Sequence, residues 1–221
     1  AQYKATRMKA EDDLITQIIS SKEVFDAFKI KVFEMAGFEA DDIIGTLAER
    51  YKKEKNLQTI VYSGDRDMLQ LVEGDKIVVD LIRHGGVVEQ YNEEKVKEVF
   101  GISPAQITDL KGLVGDSSDN IPGVSGIGPK SATPLIQEWG SVEEVYENLM
   151  IISPKVAKKL EGSKEQALMS KRLATIERNV PAYFDSLEDL KAVNLNREGL
   201  TKYFSNLGFV SLVRQVEEKV I

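Results

Sequence analysis

The chain has 221 residues, 42% of them hydrophobic and 29% charged, with a formal net charge of −7. This balance suits an ordinary soluble globular protein of one large domain or two small ones. With no cysteine and one histidine, His84, disulfides, thiolate metal sites and histidine clusters are excluded. Any metal must then be held by carboxylates, which favours Mg2+ or Mn2+. No apolar run approaches a membrane span and no secretory leader pattern is present, so a cytoplasmic location without a membrane partner is expected.

Lys4 and Arg7 precede an amphipathic run in which Leu14, Ile15, Ile18 and Ile19 recur at helical spacing. Residues 31–35 read as a short strand and Ala36-Gly37 as a turn. Glu39, Asp41 and Asp42 then crowd the mouth of a helix carrying Ile43, Ile44, Leu47, Ala48 and Tyr51. Acids in a first turn complement the helix dipole, so capping explains one or two of them. Three in four positions make a metal role competitive. Residues 58–62 read as a strand running into Ser63-Gly64-Asp65-Arg66-Asp67. Carboxylates at the end of a strand stand where open α/β sheets bind ligands; the plainer alternative is a turn with Asp67 as a helix N-cap. Strands follow at 77–81 and 87–91 around a Gly85-Gly86 hairpin turn, with His84 on the surface beside it.

From Asn92 the pattern is helical. One helix ends at Gly101, and Ser103-Pro104 opens another bearing Ile107, Leu110, Leu113 and Val114. Next comes Gly115-Asp116-Ser117-Ser118-Asp119-Asn120-Ile121-Pro122-Gly123-Val124-Ser125-Gly126-Ile127-Gly128-Pro129-Lys130. Its two acids, three apart, can reach one cation, and a Gly-x-Gly turn opening a helix at Pro129 frees N–H groups for a phosphate. Pro134 removes a hydrogen bond within that helix and leaves its course open. Ser141-Val-Glu-Glu144 reads as a capping box for a helix to Leu149. Further helices are expected from Ser153-Pro154 to Gly162, over 164–177, over 197–207 and from Ser211. Lys155, Lys158, Lys159, Lys164, Lys171, Arg172 and Arg178 read as either a basic face for nucleic acid or a solvated surface.

Four stretches in this order, Tyr3-Lys-Ala-Thr-Arg7, Gly37-Phe-Glu-Ala-Asp-Asp-Ile-Ile-Gly45, Ser63-Gly-Asp-Arg-Asp67 and the run from Gly115 through Lys130 to Arg172, resemble the flap endonuclease superfamily. They are most similar to the 5′-nuclease domain of bacterial DNA polymerase I. The resemblance implies an α/β fold, with a PIN-like, mostly parallel sheet in residues 1–101 and an all-helical helix–three-turn–helix DNA-binding lobe in 102–221. It implies a 5′-3′ exonuclease or flap endonuclease of replication and repair, hydrolysing phosphodiesters with two Mg2+ or Mn2+ ions roughly 4 Å apart.

By the same resemblance, Glu39, Asp41, Asp42 and Asp65 lean to the first ion and Asp67, Asp116 and Asp119 to the second. Lys4 and Arg7 would touch the phosphate near the cut. Gly123, Ser125, Gly126, Gly128 and Lys130 would meet the duplex, with K+ held by loop carbonyls between Gly123 and Gly128. The implied partners are DNA with a 5′ flap, nick or branch, and a polymerase domain; no small-molecule substrate is implied. The family's first strand and two of its acids would lie ahead of Ala1. The expectation is therefore a sheet incomplete at its N-terminal side, filled by another segment or rebuilt, with DNA binding kept and cleavage slowed. A catalytically impaired DNA-binding module is the alternative reading. A PIN-type ribonuclease fits less well, because that class lacks the helical lobe.

Overall fold

The computed structural model describes residues 4–5, 9–181, 186–191 and 196–218. The chain divides into two compact units, one of residues 1–7 and 37–180, the other of residues 8–36 and 181–221. The smaller unit holds α1 (Asp12–Ala27), α9 (Arg197–Asn206) and α10 (Val210–Glu218). Leu200, Phe204 and Val216 form its core, with Phe28 edge-on to Phe204 at 6.0 Å. The strand expected at 31–35 is not formed. Ile30 and Val32 are exposed, and Glu34 is tied back to α1 through Lys22 at 2.6 Å.

The larger unit begins with α2 (Ala40–Tyr51), β1 (Thr59–Ser63), a 3-10 turn (Arg66–Leu71), β2 (Ile77–Ile82) and β3 (Val88–Tyr91). The sheet order is β1-β2-β3. β1 runs parallel to β2, with Thr59 opposite Ile77, and β3 is antiparallel, with Tyr91 opposite Val79. β2 takes the centre because Ile77, Val78, Val79 and Leu81 are apolar on both faces and all are buried. Helices α3 (Glu93–Phe100), α4 (Ile107–Val114), α5 (Pro129–Trp139), α6 (Val142–Glu147), α7 (Pro154–Leu160) and α8 (Lys164–Ala174) follow. One core runs from Val61, Leu71 and Val79 of the sheet region through Leu113 to Ile136, Val142, Leu160 and Ala167.

Several local expectations are corrected. Asp65, not Asp67, caps the 3-10 turn, its carboxylate accepting from the Asp67 N–H at 2.9 Å. α5 runs through Pro134; the proline is exposed, so the carbonyl it leaves unpaired one turn back faces water. α6 stops at Glu147 because the Asn148 amide donates to the Glu144 carbonyl at 2.9 Å. α8 stops at Ala174, three residues early. The buried Gln70 amide takes the Ala174 carbonyl at 3.0 Å and accepts from Ile176 N–H at 3.0 Å, which pulls the chain out of the helix. Among the described residues no helix is long and apolar enough to cross a membrane.

Candidate functional site

The loop between α4 and α5 is built from the backbone outward. Gly115 ends α4 at φ +78, and Asp116 and Ile121 exchange N–H···O=C bonds of 2.9 and 2.8 Å. Val124 N–H returns to the Leu113 carbonyl at 2.7 Å, which plants Val124 and Ile127 in the core. The loop is then clamped by the helices after it. Ser170 Oγ accepts from Gly123 N–H at 3.1 Å, Gln166 Nε2 donates to the Gly123 carbonyl, and Lys159 Nζ donates to the Gly126 carbonyl at 2.7 Å. Ser125, Gly126 and Lys130 face solvent, Gly128 is half-buried, and Gly123 is buried. Gly123 is closed in by its neighbours.

The seven singled-out carboxylates fall into two groups that share Asp67. Glu39 and Asp42 form the capping box of α2, with Glu39 N–H donating to Asp42 Oδ2 at 3.1 Å. Asp42 Oδ1 accepts from Glu177 N–H at 2.9 Å, so both Asp42 oxygens have structural duties and the capping reading holds for it. Asp41 lies beside them, and a hollow of about 260 Å3 is lined by Glu39, Asp41, Asp42 and Asp67. A second hollow, about 670 Å3, is lined by Asp65, Asp67, Asp116 and Asp119 together with Lys111. Lys4 links the two: its ammonium pairs with Glu39 and its N–H donates to the Asp119 carbonyl at 2.9 Å. Arg7 lies outside the described residues.

Lys111 was not singled out in the sequence. Its ammonium is gripped by Asp67 and, at 2.6 Å, by Asp116. The signal was a lone cation within the apolar run from Leu110 to Val114, one turn ahead of Asp116. Burial works against its charge, but Asp67 and Asp116 raise it above the ordinary lysine value. Burial likewise opposes ionisation of Asp116, yet hydrogen bonds from Lys111 and Ser118 outweigh it and hold the carboxyl down to about 2. Asp67 is pushed up, by burial first, with Asp65 and Asp116 adding to it against the pull of Lys111. Asp41 is also raised, by burial and then by the Asp42 charge.

Among the described residues no three acidic or histidine side chains draw together closely enough to hold an ion as they stand. The donor chemistry nevertheless fits a hard divalent cation. All the donors are carboxylate oxygens, and a cationic nitrogen already sits between Asp67 and Asp116, where half-buried negative charge needs a counter-ion. The basic run is partly spoken for. Lys171 pairs with Asp109 and Glu143 at 2.6 and 2.7 Å, and Arg178 donates to the Gln70 carbonyl at 2.7 Å. Lys155, Lys158, Lys164 and Arg172 remain exposed.

Residues 1–101 match the family model of the 5′-3′ exonuclease N-terminal resolvase-like domain, and residues 102–198 that of the 5′-3′ exonuclease C-terminal SAM fold. The chain is 44% identical to DNA polymerase I of Bacillus subtilis over 219 residues, covering 98% of this chain and 24% of that protein. It is 40% identical to a 5′-3′ exonuclease of Halalkalibacterium halodurans over 185 residues, covering 82% of this chain and 60% of that one. The chain thus spans about a quarter of the polymerase relatives' length. In fold it is similar to T5 5′-exonuclease with bound zinc (TM-score 0.65, 22% identity, 95% of this chain and 77% of that chain). It is likewise similar to the catalytic core of Rad2 in complex with DNA substrate (TM-score 0.58, 18% identity, 89% and 66%). With consecutive models matched over residues 1–198, the chain belongs to the 5′-3′ exonuclease family.

Proposed function

We propose that this chain is a divalent-metal-dependent 5′-3′ DNA exonuclease and flap endonuclease, acting on DNA with a 5′ flap, a nick or a branch. The observation that carries this is the convergence of Asp67, from the 3-10 turn after β1, and Asp116, just past the end of α4, on one half-buried cation position. Beside it stands a clamped loop whose Ser125, Gly126 and Lys130 face outward. Asp65, Asp67, Asp116 and Asp119, with Glu39, Asp41 and Asp42, are the residues to hold two Mg2+ or Mn2+ ions. Such ions, when bound, neutralise charge on the phosphate and supply an activated water.

The chain's own residues do the rest. Ser118 fixes the Asp116 carboxylate with its N–H at 2.9 Å, and the α2 capping box fixes Glu39 and Asp42. Backbone N–H groups of the loop and Lys130 grip the duplex by its phosphates, which positions it without reading sequence. Lys4 and Arg7 are assigned to the phosphate near the cut. A K+ ion at the loop belongs to the same proposal and would share the Gly126 carbonyl with Lys159. A polymerase domain is proposed as a partner from the polymerase relatives, and the cytoplasm as the compartment.

The test is cleavage of a labelled 5′-flap DNA in Mg2+ and in EDTA, with a 5′-flap RNA alongside. Cleavage of the DNA in Mg2+ alone, abolished in Asp67→Asn, is expected. A second reading, a DNA-binding module without cleavage, is favoured by Lys111 and Lys4 already occupying carboxylates. Tight flap binding with no cleavage in Mg2+ would establish it and remove the first.

A further inference from the structure

The acidic hollow of Glu39, Asp41, Asp42 and Asp67 has a second wall, formed by residues 172–177 at the end of α8. That wall also borders a separate hollow of about 540 Å3, to which Thr108, Arg172, Thr175 and Arg178 contribute. Arg172 therefore stands at the border of both. Its neighbour Lys171 points into a protein ion-pair network with Asp109 and Glu143. The Arg172 guanidinium, by contrast, makes no hydrogen bond or ion pair with any described residue. Arg178 is anchored by its bond to the Gln70 carbonyl at 2.7 Å, and its nearest carboxylate, Glu49, is at 4.0 Å. Among the described residues the acid lining the second hollow is Glu177, which also lines the first and whose Oε1 accepts from Asn179 N–H at 2.8 Å.

A polyanionic strand approaching five carboxylates, Glu177 of the second wall included, is repelled unless positive charge lines its path. An arginine that shares the acids' hollow and yet pairs with none of them is placed to supply it. Its planar fork also matches a phosphate with two parallel hydrogen bonds. We propose that Arg172 is a phosphate-contact residue: with Arg178 in the adjoining hollow, it takes a backbone phosphate of the strand lying against the acidic hollow. The proposal rests on the reading of that hollow as a nuclease centre. It assigns specificity for a charged backbone, not for any base.

Binding of a fluorescent 5′-flap duplex is followed by anisotropy in EDTA over a salt series, with thermal melts to establish folding of each variant. Arg172→Ala is expected to weaken binding about tenfold at the lowest salt and to lower the slope of log affinity against log salt by about 1. Arg172→Lys is expected to keep the slope, because the charge remains, while losing part of the affinity with the fork. An Arg172→Ala protein that melts normally and binds with unchanged affinity and slope overturns the inference while the nuclease reading stands. Failure of the unaltered chain to bind the duplex removes the nuclease reading and this inference with it.

Discussion

Gly115 and Gly123 face each other where α4 turns into the loop, and the backbone there leaves no room for a methyl group. A Cβ on Gly123 would lie 2.2 Å from the Gly115 nitrogen and 2.4 Å from the Val114 carbonyl carbon. Neither neighbour is a flexible side chain. Gly123 also has φ +58, a region that costs an L-residue about 1–2 kcal/mol. Overpacking adds about 1–3 kcal/mol, so Gly123→Ala is expected to lose about 2–5 kcal/mol of a total near 5–15. At about 2–4 °C per kcal/mol for a chain of this size, the melting temperature falls by about 4–20 °C. Gly126 is the control: its φ is +75, but a Cβ there meets only the Lys159 side chain, at 3.5 Å. Gly126→Ala is expected to show only the backbone cost, about 2–8 °C. Circular dichroism melts of the two variants decide it. If Gly123→Ala melts as high as Gly126→Ala, the close approach of the two backbones does not exist as described.

Three further outcomes follow from the charged groups. Lys111→Met leaves the half-buried Asp67 and Asp116 without a counter-charge and is expected to cost about 1–3 kcal/mol in EDTA, with Mg2+ restoring part of it; a melt insensitive to Mg2+ would contradict the ligand assignment. Asp109, whose side chain is only 8% exposed, accepts from Val142 N–H at 2.9 Å and pairs with Lys171. Asp109→Ala should therefore lower the urea midpoint by an amount equivalent to about 3–4 kcal/mol, and adding Lys171→Met should recover some of it. Burial and Asp42 raise the Asp41 carboxyl, so the folded protein binds that proton more tightly than the unfolded chain does. Ionised Asp41 thus costs stability at neutral pH, a cost that fades as pH falls through the raised value. Asp41→Asn is expected to melt higher than the unaltered protein at neutral pH and equally below about pH 4.

The elements that sequence disclosed were those whose signal is local. β2 is apolar on both faces, Gly101 stops α3, and the Gly-rich loop carries its own turn chemistry, so each was legible from a few neighbouring residues. The strand misread at 31–35 had strand composition, but composition cannot supply a pairing partner. The Asp65 cap was missed because Asp65 and Asp67 are equally plausible caps in one dimension, and only the 3-10 geometry makes Asp65 the acceptor. For the site, the acids were visible as a recurring theme. The grouping around Asp67 was not, since α2, β1 and α4 must be folded before their carboxylates meet. Lys111 is not legible in the chain, because nothing beside it marks a partner, whereas a half-buried acid pair calls for an opposite charge. Lys171 was read as surface for the converse reason: its partners Asp109 and Glu143 are 62 and 28 positions away.

The segment 174–180 is stitched to the start of the unit by side chains in place of a ladder. Gln70 holds Ala174, Ile176 and Arg178, while Asp42 holds Glu177 N–H at 2.9 Å and Thr46 Oγ1 accepts from Val180 N–H at 3.0 Å. These bonds close chain loops of 104 to 135 residues. Loop closure costs entropy that grows with length, and chains rich in such distant contacts fold slowly. A ribosome that has released only the sheet and α2 has made a half-finished object. The Gln70 amide has no partner, and Gly45, against which Ile176 packs in the finished chain, is still open to water. Until residue 180 has emerged, this part of the nascent chain offers chaperones and proteases a face that the completed protein never shows.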